Sequence, residues 1–160
     1  MRKYLFLNLI IIFFSSCTKD FILNVTVSPS LSGIVSPESG SYKEGSTVSI
    51  VATPNPEYEF VGWLGDERGS NNLLSFQMNS NKNIVAQFQK RKYELKINII
   101  GEGTVSEEII SSSKTSDYES GSVVRLTAIP SSGYYFVGWA NDISGDSNSV
   151  EININRPNNP

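Results

Sequence analysis

The sequence predicts an all-β fold built as two tandem small β-sheet repeat domains. Two observations carry that expectation. First, the chain matches itself: Gly45 through Trp63 recurs as Gly121 through Trp139, a gapless offset of 76 residues. Second, apolar and other residues alternate at period two in both copies, and no stretch has helical spacing with caps. Self-similarity at a fixed offset marks a repeat architecture. Period-two alternation marks a strand that lays one face on a core.

The first residues form a leader. Met1-Arg2-Lys3 is positive, Tyr4 to Phe14 is apolar apart from Asn8, and Ser15 and Ser16 are small. This is the layout of a secretory signal peptide, residues 1–16. Its apolar stretch of eleven residues falls short of the about 20 that a membrane-spanning helix needs. Phe14-Ser15-Ser16-Cys17 resembles the lipobox of bacterial lipoproteins. The resemblance implies cleavage before Cys17, acylation of that residue, and residues 17–20 as a lipidated tether. Two or three acyl chains anchor a protein stably where one does not. The implied partner is a lipid bilayer, and the implied place is the cell envelope at the outer membrane. Thr18-Lys19-Asp20 resembles a short form of the charged surface-export signal that follows such cysteines. Cys17 is the only cysteine, so acylation leaves no thiol for a disulfide.

Repeat one is expected over residues 21–90 and repeat two over 93–160. Leu23, Val25 and Val27 alternate as a strand, matched by Leu95, Ile97 and Ile99. Gly33 and Gly103 each precede a short β-forming pair. Val48, Ile50 and Ala52 become Val124, Leu126 and Ala128, while the residues between them vary freely. One constant apolar face therefore packs on a core. Pro54 and Pro130 end those strands. Leu74, Phe76 and Met78 are matched by Val150, Ile152 and Ile154. Ile84, Ala86 and Phe88 form one more strand, for which repeat two has no counterpart before the sequence stops at Pro160. A shortened reading frame, a strand supplied by a partner, or a repeat that tolerates the loss would each account for this. Repeat two carries about six extra residues near Glu107 to Ser116, expected in a loop. Lys90-Arg91-Lys92 is expected to be a solvated linker.

These motifs together resemble the divergent internalin-B-type B-repeat: Gly33-Ile-Val-Ser-Pro-Glu-Ser-Gly-Ser-Tyr42, Glu44-Gly-Ser-Thr-Val48, Ala52-Thr-Pro54, Tyr58-Glu-Phe-Val-Gly-Trp63 and Val85-Ala-Gln-Phe88. The resemblance covers nearly the whole chain after Cys17. It implies surface architecture or adhesion and brings no catalytic residues. The best-known internalin relatives have a β-grasp fold with a helix, whereas this sequence predicts none.

Several function classes are disfavoured. The chain has no histidine, hence neither the usual general base nor the commonest metal ligand. Of 13 basic residues, 11 remain after the leader against 16 acidic ones, a poor balance for nucleic acid. Asp66 recurs as Asp142, but Glu67 becomes Ile143, so no carboxylate pair recurs. Asp142 and Asp146 match no calcium-loop spacing. No nucleophile elbow, phosphate loop or dinucleotide fingerprint occurs. We therefore expect no enzyme, no cofactor and no metal. Trp63 and Trp139 are the candidate ligand-binding residues, as stacking platforms for a glycan; as recurring aromatics they equally suit the core of a small repeat. The expected function is a membrane-anchored surface lipoprotein whose repeats serve adhesion or protein interaction. Two alternatives stand beside it: a stalk presenting a domain encoded downstream, and a carbohydrate-binding module using Trp63 and Trp139.

Overall fold

The computed structural model describes residues 19–111 and 117–155. Among these residues there are strands and turns and no helix. The first copy comprises β1 (Asp20–Ser28), β2 (Gly33–Ser36), β3 (Gly40–Lys43), β4 (Thr47–Pro54), β5 (Tyr58–Gly65), β6 (Leu73–Gln77) and β7 (Lys82–Lys90). They form two sheets, ordered β3-β1-β7-β5 and β2-β4-β6. One core joins the sheets: Leu23 of β1, Ile84, Ala86 and Phe88 of β7 and Trp63 of β5 pack with Val35, Val48, Ile50, Ala52 and Phe76 of the other sheet. Alternation explains the faces. Along β4, Val48, Ile50 and Ala52 are buried while Thr47, Ser49, Val51 and Thr53 face solvent.

β7 is the middle strand of its sheet. It runs parallel to β1, pairing Leu23 with Lys82 through Ser28 with Gln87. On its other side it runs antiparallel to β5, with a register shift between Phe60 and Gly62. Its first residues are clasped by the end of β5. Asp66 N donates to Asn83 O at 3.0 Å, and Asn83 N donates to Asp66 Oδ2 at 2.6 Å. The clasp requires glycine beside it. Gly65 has φ +105°, and a Cβ there would stand 2.2 Å from Asn83 O.

The second copy comprises β8 (Lys92–Tyr93), β9 (Gly103–Ser111), β10 (Tyr118–Glu119), β11 (Ser122–Pro130) and β12 (Ser149–Ile154). The sheet β12-β11-β9 repeats β6-β4-β2. The Tyr118–Tyr93 pair repeats the Tyr42–Phe21 pair. One layer differs. Among the described residues no strand stands where β7 stands, and residues 94–100 and 134–138 join no ladder. The strand expected through Leu95, Ile97 and Ile99 is therefore not formed as such: among the described residues nothing stands beside it where β7 stands beside β1. Tyr134 to Gly138 lacks the same neighbour.

Two further expectations are corrected. The extra residues of repeat two do not all lie in a loop: Glu107 to Ser111 lengthen β9, with a register shift at Val123 and Val124, and 112–116 fall outside the described residues. Glu108 of the lengthened strand joins an exposed charge cluster across the sheet, with Arg125 of β11 2.9 Å from Glu108 and 2.7 Å from Glu151 of β12. The Lys90-Arg91-Lys92 run is a joint rather than a free linker. Arg91 N and Nε donate to Glu57 O and Tyr58 O at 2.9 and 3.0 Å. Ser120 N donates to Arg91 O at 2.8 Å, and Lys90 Nζ to Ser120 O at 3.3 Å. The first copy thus grips the start of the second.

Truncating the middle strand should be costly. Ile84→Ala is expected to destabilise the first copy by about 2–5 kcal/mol, because Ile84 is 1% exposed between two ladders. The exposed Ile22→Ala is expected to change stability by less than about 0.5 kcal/mol. Denaturant unfolding followed by Trp63 fluorescence compares them.

Candidate functional site

Each candidate tryptophan sits in a loop-closed bracket that the two copies build alike. In the first, Trp63 N donates to Gly69 O at 2.7 Å and Trp63 Nε1 to Asn71 O at 2.8 Å. In the second, Trp139 N donates to Gly145 O at 2.8 Å and Trp139 Nε1 to Ser147 O at 2.8 Å. Phe60 leans on Trp63 with ring centroids 5.2 Å apart, and Phe136 on Trp139 at 5.1 Å. The bracket serves the fold. An indole buried with its N–H satisfied has no unmet polar group.

The surroundings of the two rings differ. Trp63 is 1% exposed, roofed by β7 and the opposite sheet. A ring so enclosed offers no face to a sugar, so Trp63 forms no stacking platform. Trp139 occupies the same bracket but is only half buried. The core residues of β7 that pack with Trp63 have no counterpart beside Trp139 among the described residues. Cys17, the lipidation candidate, lies outside the described residues.

The first copy also buries an ion pair that the sequence did not announce. Lys82 Nζ lies 2.6 Å from Glu67 Oε1, with the lysine side chain 7% exposed and the glutamate 31%. Lys82 Nζ also lies over the Phe76 ring at 5.8 Å. The replacement of Glu67 by Ile143 was the one sequence signal, since it removes the partner in the second copy. Among the described residues no group of three or more His, Cys, Asp or Glu is placed to hold a metal ion.

A groove of about 610 Å³ opens in the second copy. Residues 95–100 form one wall and residues 134–143 the other. Its floor includes Leu126, Ala128 and Ile152. The positions that are covered in the first copy are open here: Ile99 is 51% exposed and Tyr134 57%, where Val27 and Tyr58 are half buried. Alternation in the sequence marked Ile99 as core, and among the described residues no strand covers it.

A family model, the divergent InlB B-repeat domain, matches residues 23–92 and again residues 93–160. The two matches meet at the joint between β7 and β8 and together span most of the sequence. Tandem repeats of this kind point to a surface or protein-interaction repeat module. No curated protein and no solved structure matches the chain.

Two predictions follow from the geometry. In Trp139→Phe, the remaining Trp63 should emit at shorter wavelength and resist acrylamide quenching. In Trp63→Phe, the remaining Trp139 should be quenched more strongly; equal quenching constants for the two variants would contradict the difference in burial. Glu67→Ile, which copies the second repeat, should cost the first copy about 1–3 kcal/mol by leaving the lysine unpaired. Adding Lys82→Met should restore most of that loss in thermal unfolding.

Proposed function

The chain belongs to the divergent InlB B-repeat domain family, and on that premise we propose that it is a non-catalytic surface lipoprotein whose tandem β-repeats serve adhesion or protein interaction. The observation that carries the reading is the repetition itself. The same bracket, the same three-stranded sheet and the same cross-strand aromatic pair, Phe21 with Tyr42 and Tyr93 with Tyr118, are built twice along the described chain. A module duplicated in this way extends a surface rather than assembling one reactive centre. Anchoring is supported by the positive, apolar and small-residue order that ends at Cys17. Two or three acyl chains on that residue hold the folded part at a bilayer through the short Thr18-Lys19-Asp20 tether.

The test is made in a bacterial envelope. The native protein should partition with membranes, and mass spectrometry should find its N-terminus at an acylated Cys17. Cys17→Ala should leave the leader uncut and the acyl chains absent. Protease added to intact cells should degrade the displayed repeats. An unmodified Cys17 in the membrane fraction would refute the anchoring, and protection from protease in intact cells would refute display at the outer surface.

A further inference from the structure

We propose that the first copy pairs edge to edge, through β6, with the first copy of a second molecule of this chain. The two β6 strands would run antiparallel about a twofold axis at Ser75 and join their sheets into one, ordered β2-β4-β6-β6-β4-β2. The proposal rests on the reading of these repeats as an interaction module and names a partner for it.

β6 is the last strand of its sheet and pairs with β4 alone. Met78 N donates to Ser46 O and Ala52 N to Asn72 O, both at 2.9 Å. Residues 72 and 78 therefore turn these backbone groups to β4, and by alternation so do Leu74 and Phe76. The N–H and C=O groups of Leu73, Ser75 and Gln77 point the other way, along the open edge. With Ser75 set opposite Ser75 of the second molecule, each outward group meets its complement. The two serines exchange both bonds, and Leu73 exchanges both with Gln77. The side chains agree with that register. Leu74, half-buried at the rim of the core, comes opposite Phe76 on the inner face, an aliphatic–aromatic cross-strand pair. On the outer face Leu73 is 54% exposed beside Val51, and the facing Gln77 covers it. The Ser75 hydroxyl leans back to Ser49 Oγ at 2.7 Å and leaves the edge clear.

Charge selects both the edge and the partner. From Ser70 to Asn81 the sequence has no charged residue, no proline and no glycine, and the β4–β6 register runs without a shift. Native edge strands are ordinarily guarded by charge, proline, bulges or shortness. The other edges of this molecule are guarded in these ways. β2 is four residues long and stops before Pro37, and β3 is as short and ends in Lys43. β5 carries Glu59 and shifts register between Phe60 and Gly62. β9 carries Glu107 and Glu108. β12, the counterpart of β6, has Glu151 at the position of Ser75, paired with Arg125. A second β6 brings an edge as free of charge as the one it meets, so the pairing buries no unpaired charge. The assembly also closes, because each of its outer ends is the short, proline-stopped β2. All of this lies in the first copy, where the middle strand β7 is in place.

The test uses the full chain in a bacterial envelope, carrying Ser75→Cys or, at the exposed β3 edge, Ser41→Cys, with mild oxidation of intact membranes. Facing Cα atoms of a hydrogen-bonded antiparallel pair lie about 5.5 Å apart, within disulfide reach. Ser75→Cys should give a disulfide-linked dimer on a non-reducing gel, and Ser41→Cys should not. Leu73→Cys and Gln77→Cys chains should cross-link when expressed together, and neither should do so alone. Adding Leu73→Lys and Gln77→Lys to Ser75→Cys should lower the dimer by more than about fivefold, since lysines then face each other across the pair. The thermal unfolding midpoint of the purified lysine variant should stay unchanged. The proposal is overturned if Ser75→Cys dimerises no more than Ser41→Cys, if the lysines leave the dimer undiminished, or if Leu73→Cys cross-links alone. Absence of the dimer with Cys17 acylated and the repeats displayed would remove the pairing and leave the lipoprotein reading standing. A dimer that needs the Ser75→Cys thiol while Cys17 is unmodified would do the reverse.

Discussion

The structure depends on one strand held between two others. β7 is hydrogen-bonded to β1 on one side and β5 on the other, and it carries Ile84, Ala86 and Phe88 into the centre of the core. Every other strand of that sheet has its place through this neighbour. β3 hangs on β1, and β1 and β5 meet only through β7. A lost edge strand would expose one ladder, but a lost middle strand unseats two and opens the layer above the core.

The second copy shows the consequence within one molecule. Its three-stranded sheet keeps the order of the first, and its tryptophan bracket keeps both hydrogen bonds, to Gly145 O and Ser147 O, to within 0.1 Å of those to Gly69 O and Asn71 O. These parts depend on local turns and on the sheet opposite, so they persist. The segments 94–100 and 134–138 depend on the middle strand, and they form no ladder. Half-burial of Trp139 and exposure of Ile99 are the packing side of the same fact.

Much of this was legible in the residues. Period-two alternation at Val48, Ile50 and Ala52, and again at Val124, Leu126 and Ala128, named the buried faces. Pro54 and Pro130 marked strand ends because proline ends a ladder. The order of strands was not legible. Alternation says which face of a strand is buried and nothing about which strand lies beside it, so the parallel pairing of β1 with β7 lay beyond it. For the same reason the missing counterpart of Ile84 to Phe88 was visible as a gap, but not as a gap in the middle of a sheet. Long-range partners were hidden too. Arg91 reads as one of three solvated cations until Glu57 and Tyr58 are brought beside it. Lys82 reads as a surface lysine until Glu67 covers it.

The two copies form a paired experiment, since matched positions share a chain, a solvent and a temperature. Residue-resolved hydrogen exchange of the free chain tests the central claim most directly. The amides of Leu23 to Val27 and of Phe60 to Trp63 should be strongly protected, while those of Leu95 to Ile99 and of Phe136 to Gly138 exchange at nearly unprotected rates. Equal protection at the matched positions would mean that the second sheet closes without a middle strand, and would contradict the account.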